Sequence, residues 1–208
     1  MRLHRIFSAI GAAAFKGIVA RAVVAFPFHV RAQARPTTVF GLEPGQVSAV
    51  DVGLDYAYVR ANAGPAACGC FSMNGGGGNL VVNMPHGLSM VADLQTTHAH
   101  NINDTPQTIT VFDYLFGPRY SYRSASRFTP YAQVLVGGSD ELSNYAFVRN
   151  SQAFAVSGGG GVSRLLSRHF AWNIVEVDYV YSRLPNAVND HQNDLRVTTG
   201  IAFRIGPR

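Results

Sequence analysis

The fold is decided by the stretch SAVDVGLDYAYVR, residues 48–60, in which large apolar residues alternate with small or acidic ones. Side chains two positions apart on an extended strand share a face, so this strand has one apolar face and one small, acidic face. The same period recurs in DLRVTTGIAFRI, residues 194–205, near the other end of the chain. Both stretches are therefore predicted to be β-strands.

Weaker stretches of the same character lie between these two, and the sequence predicts eight strands in all. The other six cover residues 79–84, 88–96, 108–120, 127–137, 153–163 and 170–182. Short connections follow the even-numbered strands, whereas long ones rich in Gly, Asn, Ser and Asp follow the odd-numbered strands. This plan indicates an all-β, eight-stranded antiparallel up-and-down transmembrane β-barrel.

Charge usage indicates that hydrocarbon, rather than water, surrounds this barrel. Only 14% of the residues are charged, and Lys16 is the only lysine. A water-soluble domain usually carries about twice that charged fraction. Beyond residue 34, no apolar run approaches the roughly 18 residues that a membrane-spanning helix needs. The apolar face is therefore expected to contact lipid, and the sheet is expected to close on itself because lipid offers no hydrogen-bond partner.

The inward face is expected to hold small residues and a paired charge network, because a buried charge requires a partner. The members of this predicted network are Asp51, Asp55, Asp93, Asp113, Arg119, Glu176, Asp178, Arg196 and Arg204. Aromatic residues on the outward face are expected at the two headgroup levels. They are Tyr56, Tyr58, Tyr179 and Tyr181 toward the long loops, and Phe116, Phe128, Phe170 and Phe203 toward the short turns.

The first 34 residues have the features of a secretory signal peptide. Residues 1–5 are basic, residues 6–28 are largely apolar, and Ala32-Gln33-Ala34 has the small-x-small form of a cleavage site. Cleavage after Ala34 would leave a short lead at 35–46 and a barrel domain at 47–206. The alternative is an amphipathic N-terminal helix that stays attached. The excess of basic residues belongs to this leader, so no nucleic-acid partner is expected.

Four further stretches carry a family resemblance: FDYLFGPR (112–119), RFTPY (127–131), GGGGV (158–162) and VDY (177–179). Together with the strand pattern, they resemble the OmpA-like transmembrane β-barrel family over nearly all of residues 47–206. The resemblance implies a location in the outer membrane of a diderm bacterium, after Sec-type export. It also implies outer-membrane lipids and the barrel-assembly machinery as partners, and a monomeric state. No cofactor is expected.

The last strand also resembles the carboxy-terminal signal that the assembly machinery recognises. Thr198, Gly200, Phe203 and Ile205 stand in its polar, glycine, aromatic and hydrophobic places. Gly206-Pro207-Arg208 follow, where many members of the family end on an aromatic residue.

The first long loop contains the two cysteines of the chain, Cys68 and Cys70. An exported chain with two cysteines has one possible internal pairing, and we predict a local disulfide. A metal site is less expected because a structural zinc needs four ligands, although His98 and His100 of the second loop could complete a set. The four glycines at 75–78 are interpreted as giving freedom to the loop, and those at 158–161 as permitting close strand packing.

Catalysis is not expected. Some barrels of this size act on lipid A, and a hydrolase of this kind needs a serine, a histidine and an acid in one constellation. Ser182 and His191 are the nearest candidates, while Glu176 and Asp178 could suggest acid–base chemistry. In a narrow lumen, such carboxylates are expected to form ion pairs instead.

The predicted function is therefore structural: a barrel that seals into the outer membrane, presents surface loops and forms at most a narrow pore. Two alternatives remain open. One is a lipid A-modifying barrel enzyme, and the other is a soluble, secreted, lipocalin-like barrel that binds a small apolar ligand. The sequence does not identify a ligand for the surface loops.

Overall fold

The structure is a computed structural model of the chain. It describes residues 47–62, 70–102, 106–123, 127–143, 151–184 and 191–206. The predicted signal peptide at 1–34 and the lead at 35–46 lie outside the described residues and stay predictions. Within the described part, no helix is long and apolar enough to cross a membrane.

Eight antiparallel strands form one closed barrel, which confirms the predicted architecture. Each strand pairs with its neighbours in chain order, and the first strand pairs with the last. The strands are β1 Val50–Asn62, β2 Cys70–Asn83, β3 Leu88–Ala99, β4 Ile109–Ser121, β5 Phe128–Ser143, β6 Ser151–Leu165, β7 Phe170–Ser182 and β8 Gln192–Ile205.

The two most regular stretches of the sequence form the seam that closes the barrel. β1 and β8 pair continuously, from Val50 opposite Ile205 to Arg60 opposite Leu195. Residues directly opposite each other in an antiparallel pair share a face, so the apolar sets of both strands lie on the same side. The seam removes the two edges that an open sheet would expose.

Three short connections lie at one end of the barrel, which we call the short-turn end. Between β2 and β3, residues Pro85–Gly87 form a single 3-10 turn in which His86 (φ 62°) and Gly87 (φ 83°) are left-handed. The other two connections join β4 to β5 and β6 to β7. We call the opposite end, where the odd-numbered strands finish, the long-loop end.

The second strand is longer than the sequence pattern predicts. β2 begins at Cys70 rather than at residue 79, and the glycines at 75–78 lie within it, paired with β1 and β3. The interpretation of these glycines as loop residues is therefore wrong. β5 likewise continues to Ser143 and β6 begins at Ser151, which shortens the connection predicted at 138–152.

Gly77 shows why glycine suits this strand. It lies in register between Asp55 of β1 and Gln95 of β3. Gln95 Nε2 donates a 2.5 Å hydrogen bond to Asp55 Oδ1, joining the two strands that flank Gly77. A Cβ atom at Gly77 would lie 2.6 Å from Gln95 Oε1 and would also meet the carbonyl oxygen of Leu94. Glycine leaves the space in which two long polar side chains meet.

The side chains alternate between the two faces as predicted. On β1, Leu54 points outward and is 73% exposed, whereas Ala57 points inward and is fully buried. All eight predicted girdle aromatics lie on strands, and seven of them are exposed; Tyr181 is half-buried. The barrel therefore has an apolar exterior, and charged residues such as Asp93, Asp178 and Arg196 are buried in its interior.

We expect alanine at Gly77 to lower the free energy of unfolding by about 1–3 kcal/mol, because the added carbon overpacks the interior. Gly158 is the matched control, since a Cβ there would meet no atom within 4 Å. Gly158→Ala should change the same free energy by less than about 0.5 kcal/mol. Urea titration of the folded protein, followed by fluorescence of its only tryptophan, Trp172, measures both. Equal losses in the two variants would contradict the proposed role of Gly77.

Candidate functional site: the barrel interior

Arg196 is the centre of the interior charge network. One of its terminal nitrogens, Nη2, lies 2.9 Å from Asp93 Oδ2 and 2.9 Å from Asp178 Oδ2. Asp178 is its register partner on the adjacent β7, whereas Asp93 comes from β3, which is three strands away around the barrel through β1 and β2. The side chains of Arg196 and Asp178 are completely buried. The guanidinium therefore ties separate parts of the wall together across the lumen.

A glycine also supports this centre. Gly159 of β6 lies in register between Gln133 and Asp178. Gln133 Nε2 donates to Asp178 Oδ1 at 3.2 Å, and a Cβ atom at Gly159 would collide with that same carboxylate oxygen. The arrangement repeats the one at Gly77, so the small residues and the charges of the interior depend on each other.

A second cross-barrel contact involves Arg119 of β4 and Glu176 of β7, whose Nη2 and Oε2 atoms are 3.2 Å apart. Arg119 also donates from Nε and Nη2 to Gln133 Oε1, at 2.9 and 2.6 Å, and lies over the Tyr131 ring at 4.1 Å. Tyr131 donates from its hydroxyl to Glu176 Oε2 at 2.6 Å. Gly161, between Tyr131 and Glu176 in the sheet, leaves space for this bond.

Two other predicted members accept hydrogen bonds from neutral groups. Asp55 accepts from Gln95 Nε2 and, at 2.9 Å, from Asn79 Nδ2. Asp113 accepts from the hydroxyl of Ser139. For these two carboxylates, amides and a hydroxyl provide the hydrogen bonds that the sequence analysis expected from arginines.

The remaining pair lies at the short-turn end. Arg204 Nε is 3.6 Å from Asp51 Oδ1 and donates to Ser48 Oγ at 3.2 Å. Asp51 also accepts from Asn83 Nδ2 at 2.9 Å, and Asn83 accepts in turn from Arg123 Nη2 at 2.7 Å. All nine residues predicted for the network thus face the interior, in several clusters rather than one.

Sequence reasoning missed the neutral polar side chains that complete these clusters. They are Ser48, Asn79, Asn83, Gln95, Tyr131, Gln133 and Ser139. All except Ser48, which precedes β1, occupy inward positions in the alternation of their strands, so the period could have identified them. Their residue types gave no signal, because amides and tyrosines are also common in loops and on the outer surfaces of proteins.

The interior also contains large apolar side chains, whereas the sequence analysis expected only small residues and charges there. One cluster lies toward the long-loop end and contains Val59, Ala61, Phe71, Met73, Ala99, Ile102 and Ile109. A second contains Val81, Val91, Leu115, Leu135 and Ala155. A small cavity borders the first cluster and is lined by Val59, Met73, Asp113 and Arg196 among others. The lumen is therefore filled by packed apolar groups as well as by ion pairs.

The candidate catalytic serine is not paired with a histidine. Ser182 is buried, and its Oγ has no hydrogen-bond partner in the described part of the chain. The ring of His191 stacks on Tyr181, with centroids 5.8 Å apart. Glu176 and Asp178 are engaged by Arg119 and Arg196, as given above. No nucleophile–base pair is formed by these candidates.

His98 and His100 lie close together near the end of β3. Their Nε2 atoms are 2.7 Å apart, and His98 Nδ1 lies 2.6 Å from Thr110 Oγ1, so the rings belong to a short hydrogen-bonded chain. Among the described residues, no group of three or more His, Cys, Asp or Glu side chains is placed to hold a metal ion. Cys68 lies outside the described residues, so its pairing with Cys70 stays a prediction.

The four residues predicted as an assembly signal all lie on β8. Thr198 is buried in the interior, and Gly200 packs against the backbone of β1 at Leu54. Phe203 and Ile205 point outward and are exposed. The recognition of this strand by an assembly machinery stays a prediction.

We expect Arg196→Met to lower the free energy of unfolding by about 3–5 kcal/mol, because it leaves two carboxylates buried without their cation. The triple variant Arg196→Met/Asp93→Asn/Asp178→Asn removes all three charges and should recover most of that loss. Arg183→Gln, at an exposed arginine, is the control and should be nearly neutral. Urea unfolding measures the series. A triple variant less stable than Arg196→Met would contradict this account of the centre.

Solved structures share this architecture. Neisserial surface protein A (NspA) matches with a TM-score of 0.58 at 13% identity, over 76% of this chain and 98% of that chain. Ail, the attachment invasion locus protein of Yersinia pestis, matches with a TM-score of 0.53 at 10% identity, over 77% of this chain and 100% of that chain. No family model matches the chain, and no curated protein matches its sequence. The chain therefore has the eight-stranded barrel fold that NspA and Ail share, and the predicted eight-stranded antiparallel architecture is confirmed.

Proposed function

We propose that this chain is an integral barrel protein of the outer membrane of a diderm bacterium, and that its role is carried by its loops and outer surface. One observation supports this most strongly: the barrel is apolar outside and charged inside. Leu54, Leu94, Val134 and Ile201 are more than half exposed, whereas Arg196 is completely buried. A continuous apolar exterior of this kind is costly in water and favourable in a bilayer.

A closed interior supports a structural role rather than transport. The Arg196 and Arg119 contacts cross the lumen, and the cluster around Phe71 and Met73 fills the interior toward the long-loop end. Buried carboxylates outnumber buried arginines among the described residues, so any residual leak would favour cations. Eight-stranded barrels have interiors just wide enough for side chains to fill.

The surface role rests on the placement of the loops and on the names of two structural neighbours. Under this proposal the four connections at the long-loop end face the cell exterior, since outer-membrane barrels have short periplasmic turns. NspA is named a surface protein, and Ail an attachment invasion locus protein. Binding assays would identify the ligand of these loops, because the described barrel residues do not determine it.

The two alternatives fit the geometry less well. A lipocalin-like barrel would turn its apolar face inward, which is opposite to the orientation of Leu54 and Arg196. A lipid A hydrolase would need an activated nucleophile at the membrane edge, whereas Ser182 is buried without a hydrogen-bond partner in the described part of the chain. The proposed partners are membrane lipids and, during biogenesis, the barrel-assembly machinery. A monomer is expected because the closed sheet has no free edge.

Folding and location are tested together. We expect the detergent-folded protein to migrate differently on gels before and after boiling, because a closed barrel resists SDS until heated. When expressed with its leader in a diderm host, it should be recovered in the outer-membrane fraction. Recovery as a monodisperse species in detergent-free buffer would contradict the proposal.

Conductance tests the closed interior. In planar bilayers, the protein should give no steady nanosiemens-scale steps, because packed side chains occupy the lumen. An open porin inserted in the same bilayer is the positive control. Steady steps of porin size from the unaltered chain would overturn the closed interior while leaving the membrane location intact.

A further inference from the structure

The two ends of the barrel differ in charge. At the short-turn end, the described residues comprise 47–51, 81–90, 118–123, 127–133, 162–173 and 202–206. They include six arginines and one acidic residue, Asp51, which faces the interior beside Arg204; Arg119 also pairs with Glu176, just outside these ranges, at 3.2 Å. The six are Arg119, Arg123, Arg127, Arg164, Arg168 and Arg204. At the long-loop end, by contrast, Asp140, Glu141 and Asp194 accompany Arg60 and Arg183.

Three of these arginines are available to an external ligand. Arg127, Arg164 and Arg168 are exposed, and none forms a salt bridge with a carboxylate of the described residues. Arg127 lies next to the end of β6, where its carbonyl oxygen accepts from Leu165 N at 2.9 Å. Arg168 lies in the turn that follows the same strand. The three cations thus belong to one sector of the short-turn end, around the end of β6.

Arg164 occupies the most informative position. It lies in register between Phe128 of β5 and Trp172 of β7, and all three side chains are exposed on the outward face. Its guanidinium carbon lies 5.4 Å from the centroid of the Phe128 ring, within cation–π range. Aromatic rings at a barrel rim mark the level of the lipid headgroups, so Arg164 is held at that level.

We propose that Arg164, with Arg127 and Arg168 beside it, forms a binding site for the phosphate of an anionic phospholipid in the leaflet at the short-turn end. The inference rests on the proposed function, because it requires the outward face to lie in lipid. A planar guanidinium can bind a phosphate oxygen pair bidentately, and three neighbouring cations with no described acid beside them favour an anionic headgroup. The flanking Phe128 and Trp172 suit the boundary between headgroup and acyl chains.

Trp172 provides a local test, since it is the only tryptophan and lies beside Arg164. The full chain is reconstituted in mixed vesicles of phosphatidylglycerol and phosphatidylcholine, with one of the two lipids brominated to quench indole fluorescence. We expect brominated phosphatidylglycerol to quench more than its mole fraction predicts. Each arginine near an anionic surface contributes about fivefold in affinity. Arg164→Gln should therefore reduce the preference about fivefold.

Arg183→Gln is the matched control, because it removes one exposed arginine from the opposite end. The Arg183→Gln variant should keep the full preference for phosphatidylglycerol. Because the proposed ligand is a lipid headgroup, millimolar inorganic phosphate should not abolish that preference in the unaltered chain. Equal quenching by the two lipids, or an unchanged preference in Arg164→Gln, would overturn the site. Failure of both brominated lipids to quench Trp172 would instead contradict the membrane location. The two failures are therefore distinguishable.

Discussion

Hydrocarbon offers no hydrogen-bond partner, and under the proposed membrane location this constraint accounts for both the closure of the sheet and the content of its interior. A sheet immersed in lipid must pair every strand edge, which the contact between β1 and β8 achieves. Charged side chains must turn inward and find partners there. The guanidinium of Arg196, for example, forms ion pairs with carboxylates of β3 and β7 in a space from which solvent is excluded.

The glycines and the polar contacts of the interior depend on each other. At Gly77, Gly159 and Gly161, the missing side chain leaves room for a hydrogen bond between residues of the two flanking strands. Strand glycines are usually unfavourable, because they lose conformational entropy and contribute no packing. Here that cost is offset by polar contacts that could not form over a larger residue. The lumen is consequently narrow and filled, as the proposed structural role requires.

Much of this architecture could be predicted from the sequence, because the period of two is a direct consequence of strand geometry. The alternation in 48–60 and 194–205 identified the strands that close the barrel and assigned Asp51, Asp55, Arg196 and Arg204 to the interior. Strand ends were less predictable. The glycines at 75–78 carry no hydropathy signal, and only their neighbours across the sheet, such as Asp55 and Gln95, explain why they are extended.

The pairing of inward residues across the lumen could not be predicted from the sequence, since it depends on which strands face each other there. Arg196 and Asp93 are far apart in sequence and belong to strands that are not adjacent. Apolar side chains such as Phe71 and Met73 point inward, although hydropathy alone favours the lipid face for them. Their placement reflects the need to fill the lumen near the long-loop end, which is a packing requirement rather than a solvent preference.

The central claim, that lipid contacts the outward face, is tested most directly by placing a charge there. Leu54 is outward on β1 and 73% exposed, so Leu54→Arg changes the surface without altering the interior. In a bilayer, the substitution should lower the free energy of unfolding by about 2–4 kcal/mol, because arginine is costly on the lipid face near the midplane. Leu166→Arg, in the exposed turn after β6, is the control and should have little effect. A change of less than about 0.5 kcal/mol for Leu54→Arg, as at an ordinary water-exposed site, would contradict the account.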